Sequence, residues 1–174
     1  GISQMEDLPK EDAQAIVIAL KSRTQKTDEA VADSVRAAEF LLRQGVQQIY
    51  FKYCSTFDST PEGNIGPVAD ALMELTGAPC TILCPALPVN GRTVEDGKLM
   101  VNGVPLHESP MKNHPLTPMW DCRIKKLMEP QSRYACRERK PDEMEHSQVP
   151  SGQPCNMIPD NNDKEDRDRI APAC

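Results

Sequence analysis

Residues 15–20 read Ala15-Ile16-Val17-Ile18-Ala19-Leu20, six apolar side chains in a row that end at Lys21-Ser22-Arg23-Thr24. A short continuous apolar run closed by polar residues predicts a strand buried on both faces, the pattern of a parallel sheet covered by helices. The alternation then repeats. Thr27 can cap a first helix with Asp28 and Glu29 in its first turn, where the helix dipole favours them. Val31, Val35, Ala38 and Leu42 share one face at helical spacing, and Gly45 supplies the stop. Ile49-Tyr50-Phe51 is the core of a second strand. Pro67 suits the first turn of a second helix, with Val68, Leu72 and Leu75 on its apolar face and Gly77 at its end. Cys80-Thr81-Ile82-Leu83-Cys84 reads as a third buried strand. Lys98–Val101 and Val104-Pro105-Leu106 flank Asn102-Gly103, a strong hairpin signal. A short last helix is predicted from Asp121 through Ile124 and Leu127.

Strand, helix, strand, helix, strand predicts an α/β fold, a three-layer domain on a parallel sheet with a small β-hairpin. Past Tyr134 the pattern stops. Residues 134–174 contain five prolines and few apolar residues, too little to offset the entropy of ordering. The chain therefore divides into an α/β domain over 1–133 and a disordered or irregular tail over 134–174, of the kind an out-of-frame reading would also produce.

Composition narrows the function. The 174 residues carry 20 Lys+Arg and 26 Asp+Glu, a net charge of −6, which argues against a nucleic-acid partner. No apolar run reaches the length of a membrane span, and the acidic start GISQMEDLPKED lacks the form of a secretory signal. Seven cysteines are an odd number and, without an export signal, read as reduced thiols of a cytoplasmic protein. No cysteine or histidine spacing suggests a metal site.

In parallel sheets ligands sit beyond the carboxyl ends of the strands. The polar residues after the three predicted strands are thus the place to look: Arg23 after the first, Lys52, Ser55, Thr56, Asp58 and Ser59 after the second, Arg92 after the third. Cations with hydroxyl donors suit a small polyhydroxylated anion or phosphate. Asn64 lies in Gly63-Asn64-Ile65-Gly66, ahead of a helix N-terminus that also favours anions. His114, between Asn113 and Pro115 in a long loop, is either a ligand contact or a hydrogen-bond partner within the loop. No GxxxxGK[ST] or GxGxxG occurs, so neither common nucleotide loop is present.

The segments KSRT, KYCSTFDSTPEGNIGPV, CPALPVNGRTVEDGKLMVNGVPLHES and NHPLTPM closely resemble the substrate-binding N-terminal domain of the four-carbon acid sugar kinases, in the 3-oxo-tetronate kinase branch. The resemblance covers about residues 15–128. It implies a cytoplasmic, two-domain enzyme that transfers the γ-phosphoryl of ATP, with Mg, to the terminal hydroxyl of a sugar acid, the nucleotide and Mg being held mainly by a separate C-terminal domain. On that basis Asp58 and Lys52 are the candidate catalytic residues. Arg23, Ser55, Thr56, Ser59, Asn64, Arg92 and His114 are the candidate substrate ligands. The strand and Asp-Asp-x-Thr-Gly-Ala motif with which the family begins are missing ahead of Ile16. This chain is expected to be an incomplete substrate domain, inactive alone, with an open sheet edge that invites association into a homo-oligomer. A stand-alone sugar-acid-binding module is the alternative.

Overall fold

The computed structural model describes residues 14–145 and 153–173; the N-terminal dodecapeptide, His146 and Cys174 lie outside them. Among the described residues, two three-stranded sheets organise the fold. The first is parallel, in the order β1 (Cys80–Ile82), β6 (Cys155–Pro159), β5 (Ala135–Arg139). The second is antiparallel and runs through β2 (Arg92–Glu95), β3 (Lys98–Val101) and β4 (Val104–Pro105). Helices α1 (Thr27–Arg43) and α2 (Ile65–Thr76) pack on each other. A short α3 (Ile124–Met128) leads into β5, while α4 (Pro141–Glu145) and α5 (Lys164–Ile170) pack together.

The parallel sheet has a covered face on each side. On one, Leu83, Cys136 and Ile158 meet Ile65 and Ala69 of α2, Leu127 and Met128 of α3, and Val94, Leu99 and Val101 of the hairpin sheet. On the other, Cys155 and Met157 meet Met144 of α4 and Ile170 of α5. Helices, sheet and helices make the three layers that the alternating pattern implies.

β6 is the middle strand, and every one of its residues is buried. It lies in the segment that the sequence reads as a disordered tail, which instead supplies two strands and two helices. Five residues are too few for a period to emerge, and the polar Arg137-Glu138-Arg139 on edge strand β5 resembles loop composition. What offsets the ordering entropy is non-local. Two ladders of main-chain hydrogen bonds and two apolar faces are provided by residues far away in sequence. The junction is tied down by Asp70, 1% exposed, which accepts from Ser132 Oγ at 2.6 Å and from the Arg133 N–H at 2.7 Å.

Two other expectations change. Residues 15–20 and 49–51 join no sheet among the described residues, and Val17 is 89% exposed. An apolar run marks a candidate strand; it does not name the partner a strand requires. In α1, Thr27 does not cap the helix: its hydroxyl donates to Asn64 Oδ1 at 3.0 Å. The buried face is Ala30, Ser34, Ala37, Ala38 and Phe40, so of the expected stripe only Ala38 is fully buried. Small residues let α1 approach α2 closely.

The Asn102-Gly103 turn forms as expected, with positive φ at both residues (50° and 77°) and Val101 opposite Val104. Asp96-Gly97 builds a second such turn between β2 and β3 (φ 48° and 72°). Its Asp-Gly signal was present in the sequence and unused. The turn is docked onto the parallel sheet by Asp160, 5% exposed, whose carboxylate accepts the N–H groups of Asp96 and Gly97 at 3.1 and 2.8 Å and Lys140 Nζ at 2.8 Å.

The six described cysteines are free. Burial pushes the Cys136 thiol up to about 12, with the Glu129 carboxylate adding to the effect. A folded value raised above the ordinary 9.0 means that the native state holds this proton more tightly. Stability should therefore be complete below pH 9 and fall as pH rises toward 12. Circular dichroism against urea at pH 7, 9 and 11 checks this. Cys136→Ala is expected to lose less stability over that interval, relative to its own value at pH 7, than the parent chain does.

Candidate functional site

The Tyr53–Ser59 loop folds around its aromatic residues. Phe51, Tyr53 and Phe57 form a chain of edge-to-face contacts, with ring centroids 5.6 and 6.4 Å apart. Phe57 is 1% exposed and reaches its place by adopting a positive φ of 65°. Asp58 follows with φ 47°. Two successive left-handed residues are costly for side chains of this kind. The burial of Phe57 and the N–H bonds of Phe57 to Cys54 O (3.0 Å) and of Asp58 to Thr56 O (2.7 Å) hold them there. The result is a carboxylate, 5% exposed, turned into the molecule.

Asp58 is met from two sides. Thr56 Oγ1 donates to Oδ1 at 2.7 Å, and Arg23 Nη1 lies 3.2 Å from Oδ2. Arg23 sits in a 3-10 turn, Ser22–Thr24. Asn64 fixes that turn: its Nδ2 donates to Ser22 O at 2.7 Å and to Gln25 O at 2.9 Å. One residue at the start of α2 thus sets the height of the guanidinium over the carboxylate. On the other flank Ser59 Oγ donates to Gln131 Oε1 at 2.8 Å.

These residues surround a cavity of about 340 Å³, lined among others by Arg23, Lys52, Ser55, Asp58, Ser59 and Asn64. Its apolar wall is Leu20, Phe51, Tyr53, Phe57 and Ile65. Burial raises the Tyr53 phenol well above its ordinary value, so it stays neutral. Two cations and one carboxylate leave a net charge of +1 at the lining, which suits a small monoanion with hydroxyl groups.

Six of the nine candidate residues meet here. Thr56 stands behind Asp58 rather than on the wall. Arg92 is absent from the lining: it opens β2, and its guanidinium donates to Asn90 O. The strand before it ends at Ile82, and a 3-10 turn at Pro88–Asn90 intervenes before Arg92. His114 is also outside the lining. Its Nδ1 accepts the Thr117 N–H at 3.0 Å and contacts Thr117 Oγ1 at 2.8 Å. That geometry is the loop-holding arrangement, made through Nδ1. Gln131, buried and next to the supposed tail, had no spacing or motif to mark it.

Fold and cavity together define a three-layer α/β domain with a polar, net-positive cavity. A profile of the sugar-binding N-terminal domain family matches residues 2–173. The chain belongs to that family. It is 58% identical over 122 residues to the 3-oxo-tetronate kinase of Brucella melitensis and 57% identical over 127 residues to that of Pectobacterium atrosepticum. Those matches cover 70% and 73% of this chain but 28% and 30% of the kinases, so the chain spans less than a third of these relatives. Among solved structures, a Haemophilus influenzae protein matches with TM-score 0.84 at 37% identity, over 95% of this chain and 43% of that one. A Bordetella bronchiseptica protein, solved as a domain-swapped dimer with bound citrate, matches with TM-score 0.68 at 28% identity, over 84% of this chain and 36% of that one.

Proposed function

We propose that this domain holds a four-carbon sugar acid, 3-oxo-tetronate, for phosphorylation of its terminal hydroxyl by ATP. The observation that carries the reading is the Arg23–Asp58 pair at one cavity with Lys52, Ser55 and Ser59. Arg23 and Lys52 neutralise the carboxylate of the acid or the phosphoryl group in transit, the serine hydroxyls bond its oxygens, and Asn64, whose amide hydrogens go to Ser22 O and Gln25 O, holds Arg23 in place. Asp58 accepts the proton of the terminal hydroxyl. That oxygen forms a bond to the γ-phosphorus while the bond from γ-phosphorus to the bridging oxygen breaks and ADP departs. Such transfer is mainly positioning and charge stabilisation. The relatives' name and the citrate in the Bordetella structure, another carboxylate ligand, support the reading.

The nucleotide is assigned elsewhere. Among the described residues no three His, Cys, Asp or Glu side chains group in a way that could hold a cation. Asp58 is the one carboxylate of the lining, and it is engaged by Arg23 and Thr56. These residues do not fit Mg, which on this reading travels with ATP on the remainder of a longer, cytoplasmic kinase. The chain alone is then expected to bind the acid without turning it over.

Isothermal titration calorimetry tests this directly. Heat is expected with 3-oxo-tetronate, reduced about tenfold or more in affinity by Lys52→Ala, which removes a charge-assisted contact. ATP with Mg should give no heat. Silence with the sugar acid at millimolar concentration ends the proposal; ATP-dependent turnover by this chain alone ends its second half.

A further inference from the structure

Gln131 is a buried side chain with a fixed orientation, and the orientation can be read from its neighbours. Its Nε2 lies 2.9 Å from Leu127 O, an obligate acceptor. Its Oε1 lies 3.4 Å from the Gly66 N–H, an obligate donor. Neither main-chain group can reverse its role, so the amide cannot be flipped without losing both bonds. Ser59 Oγ sits 2.8 Å from the same Oε1. A hydroxyl facing an oxygen with no hydrogen must donate, so the single proton of Ser59 is directed to Gln131. Ser59 is 3% exposed and lines the cavity. What it can offer a ligand is a lone pair.

The seat is built tightly. A Cβ on Gly66 would stand 2.5 Å from the main chain and the Cβ of Gln131, and one on Gly63 would stand 1.9 Å from Ser59 Oγ. Both glycines let the loop and helix close on this bond, and Ser59 has little freedom to turn away.

We propose that Gln131 is a specificity-determining positioning residue, which by taking the Ser59 proton makes that end of the cavity an acceptor that selects a ligand hydroxyl and rejects a ligand carboxylate. The proposal rests on the sugar-acid reading and refines it. The carboxylate then lies toward Arg23 and Lys52, and the Ser59 end reads a hydroxyl of the carbon chain. A site that hydrogen-bonds a hydroxyl discriminates against the analogue lacking it, because the buried partner is left unpaired.

The test is calorimetry on the full chain with 2,3,4-trihydroxybutanoate and the three dihydroxy acids that each lack one hydroxyl. The parent chain should bind one of the three about tenfold more weakly than the trihydroxy acid. Gln131→Met should weaken the trihydroxy acid by a similar factor and leave that one deoxy acid unchanged, so the discrimination disappears. Ser59→Ala, which disturbs packing least, should do the same, and the double variant should be no worse than either single one. Equal weakening of all four acids by both variants would mean that Gln131 only supports the fold, and overturns the proposal. A parent chain that binds the acids but treats all four alike overturns it too. A parent chain that binds 3-oxo-tetronate but none of these four overturns this inference alone; one that binds neither them nor 3-oxo-tetronate removes the sugar-acid reading as well.

Discussion

Asp58→Asn is expected to lower turnover by about a hundred- to ten-thousand-fold while leaving the binding of the sugar acid intact or tighter. The assay is a chimera in which this chain replaces the matching segment of the Brucella melitensis kinase, followed by ADP release. The first number is the usual worth of a positioned general base. The second effect comes from the ion pair. Asp58 now shares the Arg23 guanidinium at 3.2 Å, and a neutral amide releases that charge to an incoming carboxylate. Asparagine is the informative substitution, since its Oδ1 still accepts from Thr56 and the left-handed backbone suits it. The two effects separate in kinetics: kcat falls and KM does not rise. A variant with unchanged kcat and raised KM would reduce Asp58 to a ligand contact.

Removing residues 134–174 should abolish cooperative unfolding. Among the described residues β1 pairs with β6 and with no other strand, and β5 pairs with β6, so the deletion takes away this parallel sheet altogether. Cys155, Met157 and Ile158 are buried to within 3%; at about 1.5–3 kcal/mol for each large apolar side chain their loss approaches the whole stability of a small domain, about 5–15 kcal/mol. Scanning calorimetry of the shortened chain should show no endotherm. A sharp transition at the temperature of the parent chain would mean that the tail is dispensable and the division near Tyr134 a true boundary.

What the sequence revealed follows from how local the signal was. The helix stops at Gly45 and Gly77 and the Asn102-Gly103 turn depend on one or two residues whose φ is positive, and all three occur where expected. The loop carrying Lys52, Ser55, Asp58 and Ser59 was legible because polar residues clustered after an apolar run. Arg92 stands outside the lining, because being next after a strand does not fix a direction once a turn intervenes. β6 and Gln131 escaped for the same reason: their meaning lies in partners tens of residues distant. Asn156, a wholly buried polar residue in mid-strand, makes sense only beside Ser132 Oγ and Tyr134 O, which its amide reaches at 3.0 and 3.2 Å.

Placing the middle strand after both of its neighbours in sequence also sets the timetable of assembly. During synthesis the two outer strands leave the ribosome first and have no mate to zip onto until Cys155–Pro159 follows. Early on, only α1 against α2 and the hairpin turns have their counterparts nearby. The nascent molecule thus waits with both flanks of its future sheet idle, the interval in which a chaperone would be of most use.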